Sequence, residues 1–156
     1  MDSRSGMAVL HGIRQAYEGW CKPLCRELGM PQMAFDILMF LSGNPELCTA
    51  RDINRHSGFK ENILSVNVNK LVSEGYLERL SVEGDRRKVR LVLTEKARPI
   101  VERGKRAQEE FDRMIREGIT PEEFATFNKC LETAGENARR IRTMHCNQEM
   151  RDEEHI

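Results

Sequence analysis

Apolar residues recur at three- and four-residue spacing through most of the chain, and only between Tyr76 and Leu93 does the spacing drop to two. The first stripe runs through Val9, Leu10, Ile13, Tyr17, Trp20, Cys21, Leu24 and Leu28, which predicts a long amphipathic helix. Pro23 lies inside it, and the missing amide donor predicts a kink or split near Lys22. Gly29 supplies a stop and Pro31 a start for the next helix, in which Ala34, Ile37, Leu38 and Leu41 face inward. After the loop Asn44-Pro45-Glu46, Thr49 caps a short helix over Ala50 to Ser57, with Asp52 favouring its positive end. Gly58 breaks that helix. Phe59 opens another that ends before Gly75, with Leu64, Val68, Leu71 and Val72 along its core face.

The spacing of two then takes over. Tyr76 to Leu80 and Arg86 to Leu93 read as strands joined by a turn at Ser81 to Asp85, with Val89, Leu91 and Leu93 on the buried face and a cationic tip. Thr94 is expected to cap the helix that follows, whose stripe is Ala97, Ile100, Val101, Gly104, Ala107, Phe111, Met114 and Ile115, with Pro99 in its first turns. Thr120-Pro121-Glu122-Glu123 is a helix start with a capping box, and Phe124, Phe127, Leu131, Ala134, Ala138, Ile141 and Met144 continue at helical period.

The fold class this predicts is mainly α with a small β-wing, a winged helix-turn-helix flanked by N- and C-terminal dimerisation helices. Residues 1–29 form the first dimerisation helix, 30–95 the winged module, 96–146 the C-terminal dimerisation helices and 147–156 a frayed polar tail, all within one folded unit. At 39% hydrophobic over 156 residues, the three long stripes exceed what one small core can use. An intersubunit helical bundle is the expected consequence.

On the helix after Gly58, the face opposite the core carries Asn62, Ser65, Val66, Asn69 and Lys70, with Lys60 at its start. Short polar groups can reach base edges, a valine can touch a thymine methyl, and a lysine can meet phosphate. The formal net charge is zero, which by itself argues against a nucleic-acid binder. Its distribution argues for one: Thr49 to Arg106 holds 14 basic and 8 acidic residues, a net of +6, and the remainder holds 11 and 17, a net of −6.

The order Leu71, Gly75-Tyr76-Leu77, Asp85-Arg86-Arg87 and Val89-Arg90-Leu91-Val92-Leu93-Thr94 resembles the MarR family of winged helix-turn-helix repressors, whose wing carries an Asp-x-Arg element before a strand ending in Leu-Thr. Met30 to Leu41, with Gln32, Ile37 and Leu38, is also similar to the family's opening helix, and the likeness covers about Val9 to Met144. It implies a homodimer on a pseudo-palindromic operator in double-stranded DNA, with major-groove contact from Asn62, Ser65, Val66 and Asn69. It further implies that Arg87 enters the minor groove at the wing tip while Asp85 orients its guanidinium, flanked by Arg86 and Lys88. Two departures stand out: Lys60 replaces a serine-like cap, and Val66 stands where arginine is common.

What such a regulator senses is open to three readings. The resemblance implies a small aromatic or amphipathic effector between the dimerisation helices and the winged module, for which His11, Tyr17, Trp20 and Phe40 are candidates; packing is the plainer role for each. Cys21 and Cys25 lie four apart on one helix face, and some members of the resembled family sense peroxide through a cysteine in this helix. The alternative is that both are small apolar fillers. A zinc sensor has little behind it, because His11, His56, His145 and His155 are scattered and Cys21 and Cys25 have no second pair.

No phosphate-binding glycine loop, nucleophile elbow or His-Glu-x-x-His helix is present, so no catalytic residue, cofactor or metal is expected. A winged-helix protein-interaction module without DNA binding is the alternative of another class, set against the clustering of Arg86, Arg87, Lys88 and Arg90. With no apolar run of membrane-spanning length and a polar Met1 to Gly6, the expectation is a cytoplasmic protein with no membrane partner.

Overall fold

The first helix, α1 (Ser3–Glu27), runs through Pro23 without a break. The split expected near Lys22 does not occur: the proline removes one amide donor, and the neighbouring turns are held by the buried side chains of Cys21 and Cys25. The computed structural model describes residues 3–57, 59–82 and 85–153, and side chains at 6–57, 59–81, 89–141, 143 and 144. Within these the chain continues through α2 (Gln32–Gly43), α3 (Ala50–Ser57), α4 (Glu61–Ser73), β1 (Leu77–Val82), β2 (Asp85–Leu93), a 3₁₀ turn (Glu95–Ala97), α5 (Arg98–Ile115) and α6 (Pro121–Glu153). The chain divides into two units, Met1–Asp112 and Arg113–Ile156.

The core of the first unit is built on α2. Ala34, Phe35, Ile37, Leu38, Met39 and Leu41 are all buried, so the helix is covered on more sides than the four predicted positions require. Against it pack Ile53 of α3, Leu64, Val68 and Leu71 of α4, Leu77 and Leu91 of the hairpin, and Ile100 and Val101 of α5. Gly104 of α5 lies so close to Phe35 and Met39 that an added Cβ would stand 3.0 Å from the phenyl ring and overlap the thioether.

Local signals set the boundaries. Thr49 and Asp52 form a capping box at the head of α3: the Asp52 amide donates to Thr49 Oγ1 at 3.1 Å, and the Thr49 amide donates to Asp52 Oδ2 at 3.0 Å. The Thr49 hydroxyl, donating to Asp52 Oδ2 at 2.6 Å, and then the Thr49 amide hold the Asp52 carboxyl below its usual pKa. Gly75, at φ 76°, ends α4 in a left-handed turn in which the Tyr76 amide reaches Leu71 O at 2.9 Å. The break assigned to Gly58 falls outside the described residues; Asn54 Nδ2 donates to Phe59 O at 2.7 Å.

The hairpin is antiparallel, pairing Leu77 with Leu93, Arg79 with Leu91 and Ser81 with Val89, and its ladder shifts between Ser81 and Val82. The strands run further than predicted, with Ser81, Val82 and Asp85 in the ladder. Val89, expected in the buried face, is 40% exposed. It shares a face with Leu91, but the hairpin has by then passed the edge of the core. Thr94 also departs from expectation: its hydroxyl makes no cap and instead donates to Gly75 O at 2.7 Å, tying the base of the hairpin to the end of α4.

In the second unit, the Thr120 amide donates to Glu123 Oε2 at 2.9 Å and the Glu123 amide donates to Thr120 Oγ1 at 3.2 Å, the predicted capping box. Helix α6 continues to Glu153, so residues 147–153, expected to fray, are helical; glutamine, glutamate, methionine and arginine are good helix formers despite the polar character of the stretch. Phe127, Leu131, Ile141 and Met144 on α6 are exposed.

Candidate nucleic-acid interface

Helix α4 is fixed from below and open above. Leu64, Val68 and Leu71 are buried, while Asn62, Ser65, Val66, Asn69 and Lys70 are exposed, with Val66 67% accessible. Three- and four-residue periodicity thus separates the helix into an anchored face and a presented face. Lys60 occupies the N-cap position and makes no side-chain cap, consistent with a cation that points to solvent. Lys70 pairs with Glu74 at 3.8 Å, an exposed contact of little energetic weight.

The hairpin stands beside this helix, latched at its base. Besides the Thr94 hydroxyl, Lys96 Nζ donates to Glu74 O at 2.7 Å and lies 4.5 Å from the centroid of the Tyr76 ring. On the other edge of β2 the Leu91 amide donates to Cys48 O at 2.7 Å, and Arg90 Nε donates to Cys48 Sγ at 3.1 Å. The backbone of β2 carries Asp85, Arg86, Arg87 and Lys88 at the far end from these latches. Their side chains lie outside the described residues.

Two cations near the presented face were not singled out in sequence. Arg51 of α3 and Arg79 of β1 line one cleft with Asn54, Glu61 and Ser65, and Arg79 Nη2 donates to Asn69 Oδ1 at 2.5 Å. The signal for Arg79 was present in the period of two: it shares a strand face with the buried Leu77, an unusual register position for an arginine.

Of the four residues proposed for an effector, Tyr17 and Trp20 line two different grooves. Trp20 Nε1 donates to Ala107 O at 2.9 Å, and the Tyr17 hydroxyl accepts from Gln108 Nε2 at 2.8 Å while its ring meets Phe111 edge-on with centroids 5.4 Å apart. Both residues therefore pack α1 on α5. His11 is exposed and Phe40 is half-buried against the core. A groove of about 980 Å³ is lined instead by Arg14, Lys22, Cys25, Met30, Met33, Asp36, Phe59 and Lys70, among others.

Cys21 and Cys25 are both buried, and burial raises both thiols above their ordinary pKa, Cys25 to about 11, with Cys21 and Asp36 adding to the rise. Cys25 Sγ donates to Gln32 Oε1 at 3.4 Å. Neither Lys22 nor Arg26 offsets the burial, so this environment disfavours the thiolate that peroxide chemistry requires. Among the described residues, no group of three or more His, Cys, Asp or Glu could hold a metal ion. Among them, too, no helix is long and apolar enough to cross a membrane.

Residues 28–88, from the end of α1 through the first half of β2, match the model of the MarR family. The winged module is thus similar to that family's over these residues. Solved MarR structures share the fold over most of the chain. A putative MarR-family transcriptional regulator from Listeria monocytogenes, complexed with 26mer DNA, superposes with a TM-score of 0.77 at 16% identity, covering 90% of this chain and 91% of that one. A MarR protein from Peptoclostridium difficile gives 0.75 at 18% identity, covering 90% of each. A MarR transcriptional regulator from Methanosarcina mazei gives 0.73 at 21%, covering 90% of this chain and 99% of that one. No curated protein matches the chain in sequence.

Proposed function

We propose that this MarR-type chain is a transcriptional regulator, acting as a repressor, that binds a pseudo-palindromic operator as a homodimer and is released by a small-molecule effector. The observation that carries the reading is the presented face of α4: short polar groups and an exposed valine on a helix whose opposite face is locked into the core, next to a hairpin bearing Arg86-Arg87-Lys88. Asn62, Ser65, Val66 and Asn69 are assigned to base edges, Lys60 and Lys70 to phosphate, and Arg87 to the minor groove with Asp85 orienting it. That a structural neighbour is complexed with DNA supports the reading.

A second copy would cover the apolar residues left exposed on α1 (Met7, Val9, Leu10) and on α6. The effector is assigned to the groove between α1, α2 and α4, because Phe59, just before α4, and Lys70, in its last turn, stand on its wall. A ligand there would favour a spacing of the two α4 helices that misses the operator, lowering affinity without touching the base-reading residues.

The test is Arg87→Ala. It should weaken binding to the operator about tenfold or more while leaving the dimer and the melting curve unchanged. Affinity within about twofold of the parent would remove the wing from the interface.

A further inference from the structure

Arg79 stands on the core-facing side of β1, in line with Leu77 and directly opposite Leu91. Both leucines are buried, whereas Arg79 lies where the core ends and the strand passes alongside α4. Its side chain crosses to that helix and donates from Nη2 to Asn69 Oδ1 at 2.5 Å. A guanidinium carries donors and no acceptor, so only the amide oxygen of Asn69 can be the bonded atom, and the orientation of that amide is fixed. The amino group of Asn69 is the end turned away.

We propose that Arg79 sets which base Asn69 reads, converting an adenine reader into a group that presents donors only. The proposal rests on the reading of α4 as the major-groove helix. An unrestrained asparagine takes adenine with both ends of its amide, Oδ1 accepting from N6 and Nδ2 donating to N7. Here the accepting end is engaged by a cation, and that cation opposes the approach of a base amino hydrogen to the same oxygen.

The Asn69 amino group, left as the free end of that amide, matches an edge that offers acceptors alone. In the major groove, the purine edge of that kind is guanine, with N7 and O6. Arg79 also lines a cleft with Arg51, Asn54, Glu61 and Ser65. Arg79 is thus a positioning residue. It acts through Asn69, and it is held by the strand ladder rather than by α4 itself.

The experiment is selection from random-sequence DNA with the full-length protein, followed by binding titrations, for the parent, Arg79→Met, Asn69→Ala and the double variant. The parent should select guanine at one position of each half-site where Arg79→Met selects adenine, a change in the guanine-to-adenine preference of about tenfold or more. In the Asn69→Ala background, Arg79→Met should shift no base preference. Unchanged preferences in Arg79→Met, or a uniform loss of affinity with no shift at any position, would overturn the proposal and leave Arg79 as a phosphate contact or a strut.

Asn69→Ala leaves the hairpin untouched and keeps the test decisive if Arg79→Met fails to fold. It must lose the guanine preference at that one position, and retention of guanine there overturns the proposal. A parent protein that selects no sequence at all overturns the DNA-binding reading itself, an outcome distinct from a selective parent whose variants match it.

Discussion

Asp36 carries a half-buried carboxyl on α2, accepting from Gln32 Nε2 at 2.9 Å. Burial raises its pKa, the Gln32 bond works against the rise, Glu18 adds to it and Arg14 opposes it. A carboxyl whose folded pKa is raised costs nothing below its ordinary value and destabilises the fold as pH climbs through the raised one. Asp36→Asn should therefore raise Tm at pH 7, and the gain should shrink as pH falls toward 4. Thermal unfolding at several pH values checks this, and a gain independent of pH would contradict the role given to the charge. Asp52 has the opposite sign: its carboxyl stabilises α3 above the ordinary carboxylate range, and that stability is lost as pH falls through its lowered pKa. At this scale, legibility in the sequence depends on how far away the partner is. Thr49 and Thr120 find theirs three residues on, so their caps could be read directly. Thr94 spends its hydroxyl on Gly75, 19 residues back, which no local pattern announces.

Among the elements, α3 and α6 begin where the sequence placed them, because a capping threonine and a helical apolar stripe coincide there. The hairpin was legible in its pairing but not in its burial. Alternation assigns Val89 to a face, and only the extent of the core decides whether that face is covered at that height. The same limit hid Arg79, whose place on the inner face became meaningful only once α4 was seen running past it. Helix α5 is seated by the missing side chain of Gly104 against Phe35 and Met39. Met39 can swing aside, but the Phe35 ring is locked in the core at 0% exposure. Gly104→Ala should cost about 1–3 kcal/mol by overpacking, despite the better helix propensity of alanine. Denaturant unfolding measures this, and a variant as stable as the parent would mean that α5 shifts freely on α2.

At the scale of the whole molecule, the basic middle of the sequence became one structural region. The segment with net charge +6 folds into α3, α4, the hairpin and the start of α5, and the acidic remainder supplies most of α1, α2 and α6. The groove proposed for an effector was the least legible feature. A groove is made by the spacing of helices rather than by residue types, and two of the aromatic residues that suggested one, Tyr17 and Trp20, are used in packing α1 on α5. The measurement that bears most directly on the central claim is fluorescence anisotropy of the protein on the DNA upstream of its own gene and on scrambled DNA, across a range of salt. Binding through α4 and the wing predicts tight binding to the upstream DNA, with log affinity falling linearly against log salt and a preference over scrambled DNA of about 10³ or more. Equal affinity for both DNAs, or none for either once a selection from random sequences has also returned no site, would contradict it.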